Sequence, residues 1–496
     1  MGEASIKRSD HIKSLADLKP GVQVDKRKLN IDPTILFSRL IAIVQREEDM
    51  SLYFGYELTA FPTSLFKDNF MRKAVKAQLT KSLTDSLDSS AEHRRQAINV
   101  LDGGALLHRV KWAKKKSYQE IAKQYVSYVR GKYGESCVVF DGYEQGPSIK
   151  DHEHLRRAKK ICADVQLSES MEAYKDQEVF LANEKNKQQF IQLIGRYLRD
   201  DGQVVYQSDG DADTMIVQCA LQYASEGSEV NVVADDTDVF VLLVYHWKQT
   251  MADFFFRTEA GKNLKIWRIS DVVDQAGPIV TSHLLFLHAW CGCDTTSATF
   301  GQGKVSLMKK LKQSNEVQMI SQLMMDRNAT VDEVSRVGVR LFVIAYGGKQ
   351  SDSLNTLRHA KYMEMVASAK KIDPQKLPPT VRAAHFHSLR VHLQVILWKE
   401  LCIDSLNPVS WGWKLVGSTL QPVMTDLEPA PESLLKFIHC KYKLSTANPC
   451  GSNICSCRKH GLKCVTACCD CRGEGCRNAE EPDMGNAEEP DMDFDL

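Results

Sequence analysis

The chain has 496 residues, of which 43% are hydrophobic and 26% charged, and a net charge of +1. That length exceeds one ordinary core and implies roughly two to four folded units; the composition excludes a fibrous or wholly disordered chain. A charge so close to zero excludes a bulk pull toward nucleic acid or membrane, so any such attraction must come from local patches.

The opening MGEASIKRSD lacks the apolar core of a secretory signal, and no apolar run reaches the length of a membrane span. An intracellular protein with reduced thiols and no membrane partner is expected. Residues 1–30 are polar and basic. Asp32-Pro33 then opens a helix, with Asp as cap and Pro in the first turn, and Ile35, Leu36, Leu40, Ile43 and Val44 supply its apolar face. Helical patterning continues to about residue 90, with no motif that points to chemistry.

From about residue 96 the period changes. Ile98–Leu101 is a predicted strand stopped by Asp102-Gly103-Gly104, and a helix is predicted around Tyr118–Tyr133. Cys137–Phe140 is a second strand, stopped by Asp141-Gly142. Val204–Tyr206 leads into Asp209-Gly210-Asp211-Ala212-Asp213, and Val230–Ala234 into Asp235-Asp236-Thr237-Asp238. Strands alternating with helices predict a parallel sheet with right-handed crossovers. Phe254–Arg257 and Leu264–Ile269 suggest a hairpin insertion. An apolar helix over roughly Ile279–Trp290 ends at Cys291-Gly292-Cys293-Asp294. Mixed helices follow to about 405, then a Pro- and Gly-containing linker, a cysteine-rich segment and an acidic tail. The tail repeats NAEEPDM at 478–484 and 486–492 and carries eight carboxylates and no basic residue, which predicts disorder.

Asp102, Asp141, Asp211, Asp213, Asp236, Asp238 and Asp294 all stand at or just after the ends of apolar segments. Functional groups of an open parallel sheet gather outside the carboxyl ends of its strands. Any one of these Asp residues also serves as ordinary turn chemistry; the ordered set is the stronger signal. Seven converging carboxylates repel one another, and two Mg²⁺ or Mn²⁺ ions relieve that repulsion through all-oxygen ligands. A metal pair roughly 4 Å apart suits phosphodiester hydrolysis.

Val139-Phe140-Asp141-Gly142, Asp211-Ala212-Asp213, Asp235-Asp236-Thr237-Asp238 and Gly292-Cys293-Asp294 resemble, in order and spacing, the acidic motifs of the flap endonuclease and XPG nucleases, which belong to the wider PIN-like fold. The resemblance covers about 100–310, and Asp102 fits its first-strand aspartate. It implies that Asp102, Asp141, Asp211 and Asp213 surround one metal and that Asp236, Asp238 and Asp294 surround the other. At 211 and 213 the family usually carries glutamates, one methylene longer. Gly301-Gln302-Gly303-Lys304 is similar to the family's glycine turn, where backbone amides and a nearby cation hold a DNA phosphate; a plain turn is the alternative. Lys150, Arg156 and Arg157 sit where the related nucleases carry basic residues on an arched segment, and a solvated helix face is the alternative there and for Lys114–Lys116. His152 and His154 are predicted at the surface, with metal ligation the alternative, and Tyr143 is predicted in an exposed turn, with stacking on a base the alternative.

Nine of the 15 cysteines lie between Cys440 and Cys476: Cys440, Cys450, Cys455, Cys457, Cys464, Cys468, Cys469, Cys471 and Cys476. In a reducing compartment such crowding favours soft-metal binding, and thiolates around Zn²⁺ replace a hydrophobic core. The segment resembles the CXC module of tesmin/TSO1 and male-specific-lethal proteins, which implies up to three zinc ions on nine cysteines and DNA binding. Tyr442 lies where a Cys-x-Cys pair is natural; Cys469 is either the substitute or a spare thiol. Between 440 and 477 the side chains sum to +5, and nine thiolates with three zinc ions would leave about +2.

The expected fold is α/β. It comprises a basic N-terminus and helical segment (1–95), a parallel-sheet PIN-like nuclease core (96–310), a helical extension (311–406), a linker (407–439), a zinc module (440–477) and an acidic tail (478–496). The expected function is metal-dependent, structure-directed hydrolysis of DNA, or of RNA, in the nucleus. Its rivals are a catalytically idle nucleic-acid scaffold and a zinc-stabilised adaptor. Such a core joined to such a tail resembles uncharacterised, transposon-like animal proteins. The sequence leaves the oligomeric state open.

Overall fold

A computed structural model describes residues 22–24, 27–29, 31–43, 52–68, 70–89, 97–142, 147–157, 162–209, 212–259, 264–368, 372–401, 406–435, 439–440, 449–452, 454–460, 462–464, 468, 471 and 476–478. The fold is mixed α/β with a largely parallel central sheet. Its six strands are β1 (Ile98–Asp102), β2 (Ser136–Phe140), β3 (Val204–Gln207), β4 (Val230–Val233), β5 (Phe254–Thr258) and β6 (Lys265–Arg268), in the order β6-β5-β4-β1-β2-β3. All neighbours are parallel except β5 and β6. The predicted strands thus form, but the expected hairpin insertion is the edge of the sheet itself, because β5 pairs in parallel with β4 from Val230↔Phe254. Its Phe254, Phe255 and Phe256 are buried, as a strand covered on both faces requires.

The chain runs from β1 through β2 to β3 in one direction, then returns past β1 to β4 and β5. Right-handed crossovers place the connecting helices of the two runs on opposite faces. The first run's helices, Tyr118–Tyr133 and Glu184–Asp200, bury Tyr125, Val129, Phe190 and Ile194 against Val138 and Phe140 of β2. Ser117 and Glu120 form a reciprocal capping box that starts the first of them. The reversal creates a topological switch point between β1 and β4, where a doubly wound sheet opens a crevice. The apolar helix expected over 279–290 is two helices, Pro278–Ser282 and Leu284–Trp290, separated at His283.

Two compact units are distinguished, and neither is a continuous stretch of chain. One takes in Ser64–Leu354 and Val381–Asp426, which includes the sheet. The expected linker is partly structured within it. Trp413–Val416 and Thr419–Pro422 form a hairpin with Trp413 buried, and the buried Arg390 donates Nη1 to the carbonyls of Gly412 at 3.1 Å and Val423 at 2.6 Å.

The other unit takes in Lys19–Thr63, Asn355–Thr380 and Leu427–Leu496. The segment expected as one N-terminal region, 1–95, is therefore divided, because Leu36, Phe37 and Phe54 share a core with Tyr362, Leu377 and Leu434. Buried Arg358 anchors this core. Its Nε donates to the Phe54 carbonyl (3.1 Å), Nη2 to those of Tyr56 and Glu57 (both 3.3 Å) and Nη1 to that of Pro378. The Glu57 carboxylate lies 3.7 Å away and also accepts from the Thr380 backbone N–H and hydroxyl. Arg358→Met leaves a buried carboxylate and several carbonyls without their cation. It is expected to destabilise this unit by about 3–5 kcal/mol, seen as an early shift in its denaturant midpoint.

Candidate functional site

The aspartates at the strand ends are set by local backbone rules. Asp102 ends β1 and caps the helix Gly103–Arg109, accepting from Ala105 N–H at 3.1 Å. Asp141 follows β2, and its Oδ1 accepts from Ala212 N–H at 3.1 Å, at the start of the helix Ala212–Ser225 that also carries Asp213. Asp236 follows β4 and caps the helix Thr237–His246, accepting from Asp238 N–H at 2.9 Å. Cap chemistry thus fixes the side chains at the same edge of the sheet as the switch point.

Two motif glycines allow close approaches that hold this edge together. A Cβ on Gly142 would meet the Ser208 carbonyl oxygen at 1.9 Å, and a Cβ on Gly292 would meet Ala298 N at 2.7 Å, with Gly292 at φ +102°. Gly142→Ala is expected to force β2 and β3 apart beside Asp141 and to destabilise the fold by about 2 kcal/mol or more, measured as a lowered Tm.

The carboxylates meet. Asp213, Asp236 and Asp238 each bring one oxygen within 4.8 Å of the others. Asp102 Oδ1 and Asp141 Oδ2 lie 3.1 and 3.3 Å from the position a Gly104 Cβ would take. Asp294 joins through Lys76, whose ammonium lies 3.0 Å from Asp294 Oδ1, 3.0 Å from Asp238 Oδ2 and 3.5 Å from Asp236 Oδ1. Asp211 lies outside the described residues.

Burial pushes the Asp102 carboxyl up to about 6; backbone N–H donors oppose the shift, and the charges of Asp141 and Asp236 add to it. Burial likewise raises Asp236, with Asp238 contributing. Asp238 is fully buried, yet Lys76 and His288 outweigh that burial and hold its carboxyl well below the usual range. A site that raises two carboxyls by burial and mutual repulsion favours an added cation.

Two contributors carried no signal in the sequence. Lys76 comes from the segment that showed no chemical motif. His288, on the helix Leu284–Trp290, pairs through Nε2 with Asp238 Oδ1 at 2.7 Å. Its Nδ1 lies 2.9 Å from Lys304 Nζ, which also donates to the carbonyls of His288 and Gly292 at 2.9 Å. Burial pushes His288 down to about 4, so the ring is neutral, accepts from Lys304 at Nδ1 and donates from Nε2 to Asp238.

The expected phosphate-contacting residues fare differently. Lys304 is buried, its ammonium spent on His288 and two carbonyls, and so supports Asp238 instead of presenting a cation at the surface. Gly301 adopts φ +73°, and Gly303 precedes the helix Lys304–Gln313. Lys150 Nζ lies 3.4 Å from Asp213, at the margin of the acidic cluster. Arg156 makes a two-pronged contact with Glu153 at 2.8 Å from both Nε and Nη2. Arg157 ends the helix Asp151–Arg157; its side chain, that of His154, and Tyr143 lie outside what is described. His152 is buried against Phe70, ring centroids 5.2 Å apart, and not at the surface as expected. Of the basic run Lys114–Lys116, Lys116 pairs with Glu120 at 2.7 Å.

In the other unit, Cys440, Cys450, Cys455, Cys457, Cys464, Cys468, Cys471 and Cys476 form one buried cluster; Cys469 and Tyr442 lie outside the described residues. The sulfurs compose three overlapping groups of four: Cys440, Cys455, Cys457 and Cys464; Cys440, Cys464, Cys468 and Cys471; and Cys450, Cys464, Cys471 and Cys476. Neighbouring sulfurs stand 3.6–3.9 Å apart, far beyond a disulfide bond. Cys464 belongs to all three groups, and the Asn478 amide donates to its sulfur at 3.4 Å. Buried Arg39 donates Nη1 to Cys457 Sγ at 3.2 Å and Nη2 to the Lys463 carbonyl. The N-terminal helix Pro33–Ile43 thus supplies a cation to a cluster more than 400 residues away.

No family model matches the chain, and no curated protein matches it. Solved structures do. The catalytic core of Rad2 in complex with DNA substrate is similar at 16% identity and a TM-score of 0.29, over 44% of this chain and 62% of that one. A further Rad2 core complex gives 14% and 0.32, over 57% and 76%. The bacteriophage T5 D15 flap endonuclease, in a pseudo-enzyme–product complex with DNA and metal ions, gives 15% and 0.33, over 63% and 93%. The match spans less than two thirds of the first two Rad2 cores, at 62% and 61% of their lengths. Among the described residues, no helix is long and apolar enough to cross a membrane.

Proposed function

We propose that this chain is a divalent-metal-dependent, structure-directed nuclease acting on DNA. The observation that carries the reading is the convergence of Asp102, Asp141, Asp213, Asp236, Asp238 and Asp294 at the switch point of a parallel sheet. The donor set is all oxygen, which suits Mg²⁺ or Mn²⁺ and not a soft ion. When bound, such a cation supplies Lewis acidity and neutralises charge on a phosphodiester. Asp213, Asp236 and Asp238 are the residues that would hold it, with Asp102 and Asp141 beside them and Asp211 the seventh member of the sequence pattern. The His288–Lys304 pair keeps Asp238 ionised and fixed in orientation. Lys150, Arg156 and Arg157, with the turn at Gly301 and Gly303, are proposed to meet the nucleic-acid backbone outside the cluster. Rad2 and T5 D15, the similar proteins, are seen with DNA, and a nuclear location fits that substrate.

The cysteine cluster is proposed to hold zinc, up to three ions, with Cys469 as the ninth ligand. Four sulfurs about 2.3 Å from a zinc ion stand about 3.8 Å apart at the corners of a tetrahedron, and the sulfur separations here match that edge. Its role is nucleic-acid or protein contact, with a CXC-like module as the sequence implies.

One observation favours the idle scaffold as a second reading: the Lys76 ammonium stands among Asp236, Asp238 and Asp294. Incubation of the full chain with 5′-flap, bubble and linear DNA in Mg²⁺ or Mn²⁺ separates the two. Cleavage abolished by EDTA supports the enzyme; binding without cleavage on all three substrates supports the scaffold.

A further inference from the structure

A lysine at a helix start is unfavourable, because the helix presents partial positive charge there. Lys76 occupies the N-cap of the helix Ala77–Thr84 and makes no capping hydrogen bond. Its side chain turns instead into the carboxylates of Asp238, Asp294 and Asp236 at 3.0, 3.0 and 3.5 Å. The ammonium is thus ringed by three carboxylates within 3.5 Å.

The segment that delivers Lys76 is tied down. Ala298 N–H donates to the Arg72 carbonyl at 2.7 Å, Phe300 N–H to that of Ser64 at 2.8 Å, and the Arg72 guanidinium lies over the Phe300 ring at 5.0 Å. The Thr80 hydroxyl meets that of Thr237, which lies between Asp236 and Asp238 in the chain, at 3.5 Å. Lys76 is therefore built into the site, unlike a surface lysine that swings in from solvent.

A monovalent cation placed between three carboxylates excludes a second one by repulsion at the same position. Lys150 beside Asp213 and Lys187 at 4.0 Å from Asp141 already reduce the negative charge of the other side. Six described aspartates thus face three ammonium groups, and Lys76 is the one that stands among three of them.

We propose that Lys76 is a resident cation in place of a second metal, so that the intact chain binds one divalent ion in this site. The proposal rests on the metal-dependent reading above and replaces its expected pair of ions by one ion and one fixed ammonium. Lys76 acts as a positioning residue for Asp236, Asp238 and Asp294.

The test counts tightly bound Mn²⁺ on the zinc-loaded full chain by electron paramagnetic resonance of the free ion. Thiolates retain zinc in preference to Mn²⁺, so the count reports the carboxylates. Wild type is expected to bind one Mn²⁺, Lys76→Arg one, and Lys76→Met two. Lys76→Gln, neutral but able to donate hydrogen bonds to the same carboxylates, carries the same expectation as Lys76→Met and serves if that variant does not fold. Two ions on wild type, or one on a folded neutral variant, would overturn the role of Lys76 while leaving a metal site standing. No ion on any form would overturn the metal-dependent reading and this proposal together.

Discussion

Asp236→Asn is expected to abolish nucleic-acid cleavage while leaving the fold intact. Asparagine has the same shape, caps helices as well as aspartate does, and can still accept from Asp238 N–H. What it removes is charge at a position whose ionised form is already disfavoured by burial and by Asp238. The metal-free variant should therefore melt at or above the wild-type temperature. A lost metal ligand removes several kcal/mol of transition-state stabilisation, about 10³-fold in rate or more. Cleavage of a 5′-flap substrate in Mn²⁺, measured beside Tm, checks both halves. Activity within about tenfold of wild type would remove Asp236 from the site.

Cys464→Ser is expected to empty the cysteine cluster. Cys464 is shared by all three four-sulfur groups, whereas Cys476 belongs to one. Structural zinc contributes about 10–16 kcal/mol of apparent binding free energy, which in such a cluster is folding free energy. Loss of the shared sulfur should cost nearly all bound zinc, while Cys476→Ser should cost about one ion of three. The damage should extend to the helix Pro33–Ile43 of the same unit, because the buried Arg39 guanidinium would lose the Cys457 sulfur it faces in the filled cluster. Metal analysis of the purified variants reads the first effect, and limited proteolysis of the helix Pro33–Ile43 the second. Equal zinc loss in both variants would contradict the sharing.

The acidic half of the site was legible in the sequence because its cause is local. A strand that ends in Asp and runs into a helix places that residue at the sheet edge by cap and turn chemistry, and β1 to β4, four of the five parallel strands, were readable as apolar runs. The cationic half was not. Lys76 reaches Asp238 across 162 residues, and His288 reaches it across 50, contacts that no spacing rule encodes. Lys304 shows the converse error: Gly-x-Gly-Lys suggested an exposed phosphate contact, but packing buried the ammonium against His288. The continuous N-terminal region failed for the same reason, since residues near 40, 360 and 434 share one core.

The most direct measurement is an anomalous difference map from a crystal of the full chain soaked in Mn²⁺. Convergence of the strand-end aspartates requires a peak about 2.2 Å from carboxylate oxygens of Asp213 and Asp236 or Asp238. A map with no manganese at this edge of the sheet, or with manganese only on acidic surfaces elsewhere, would contradict it.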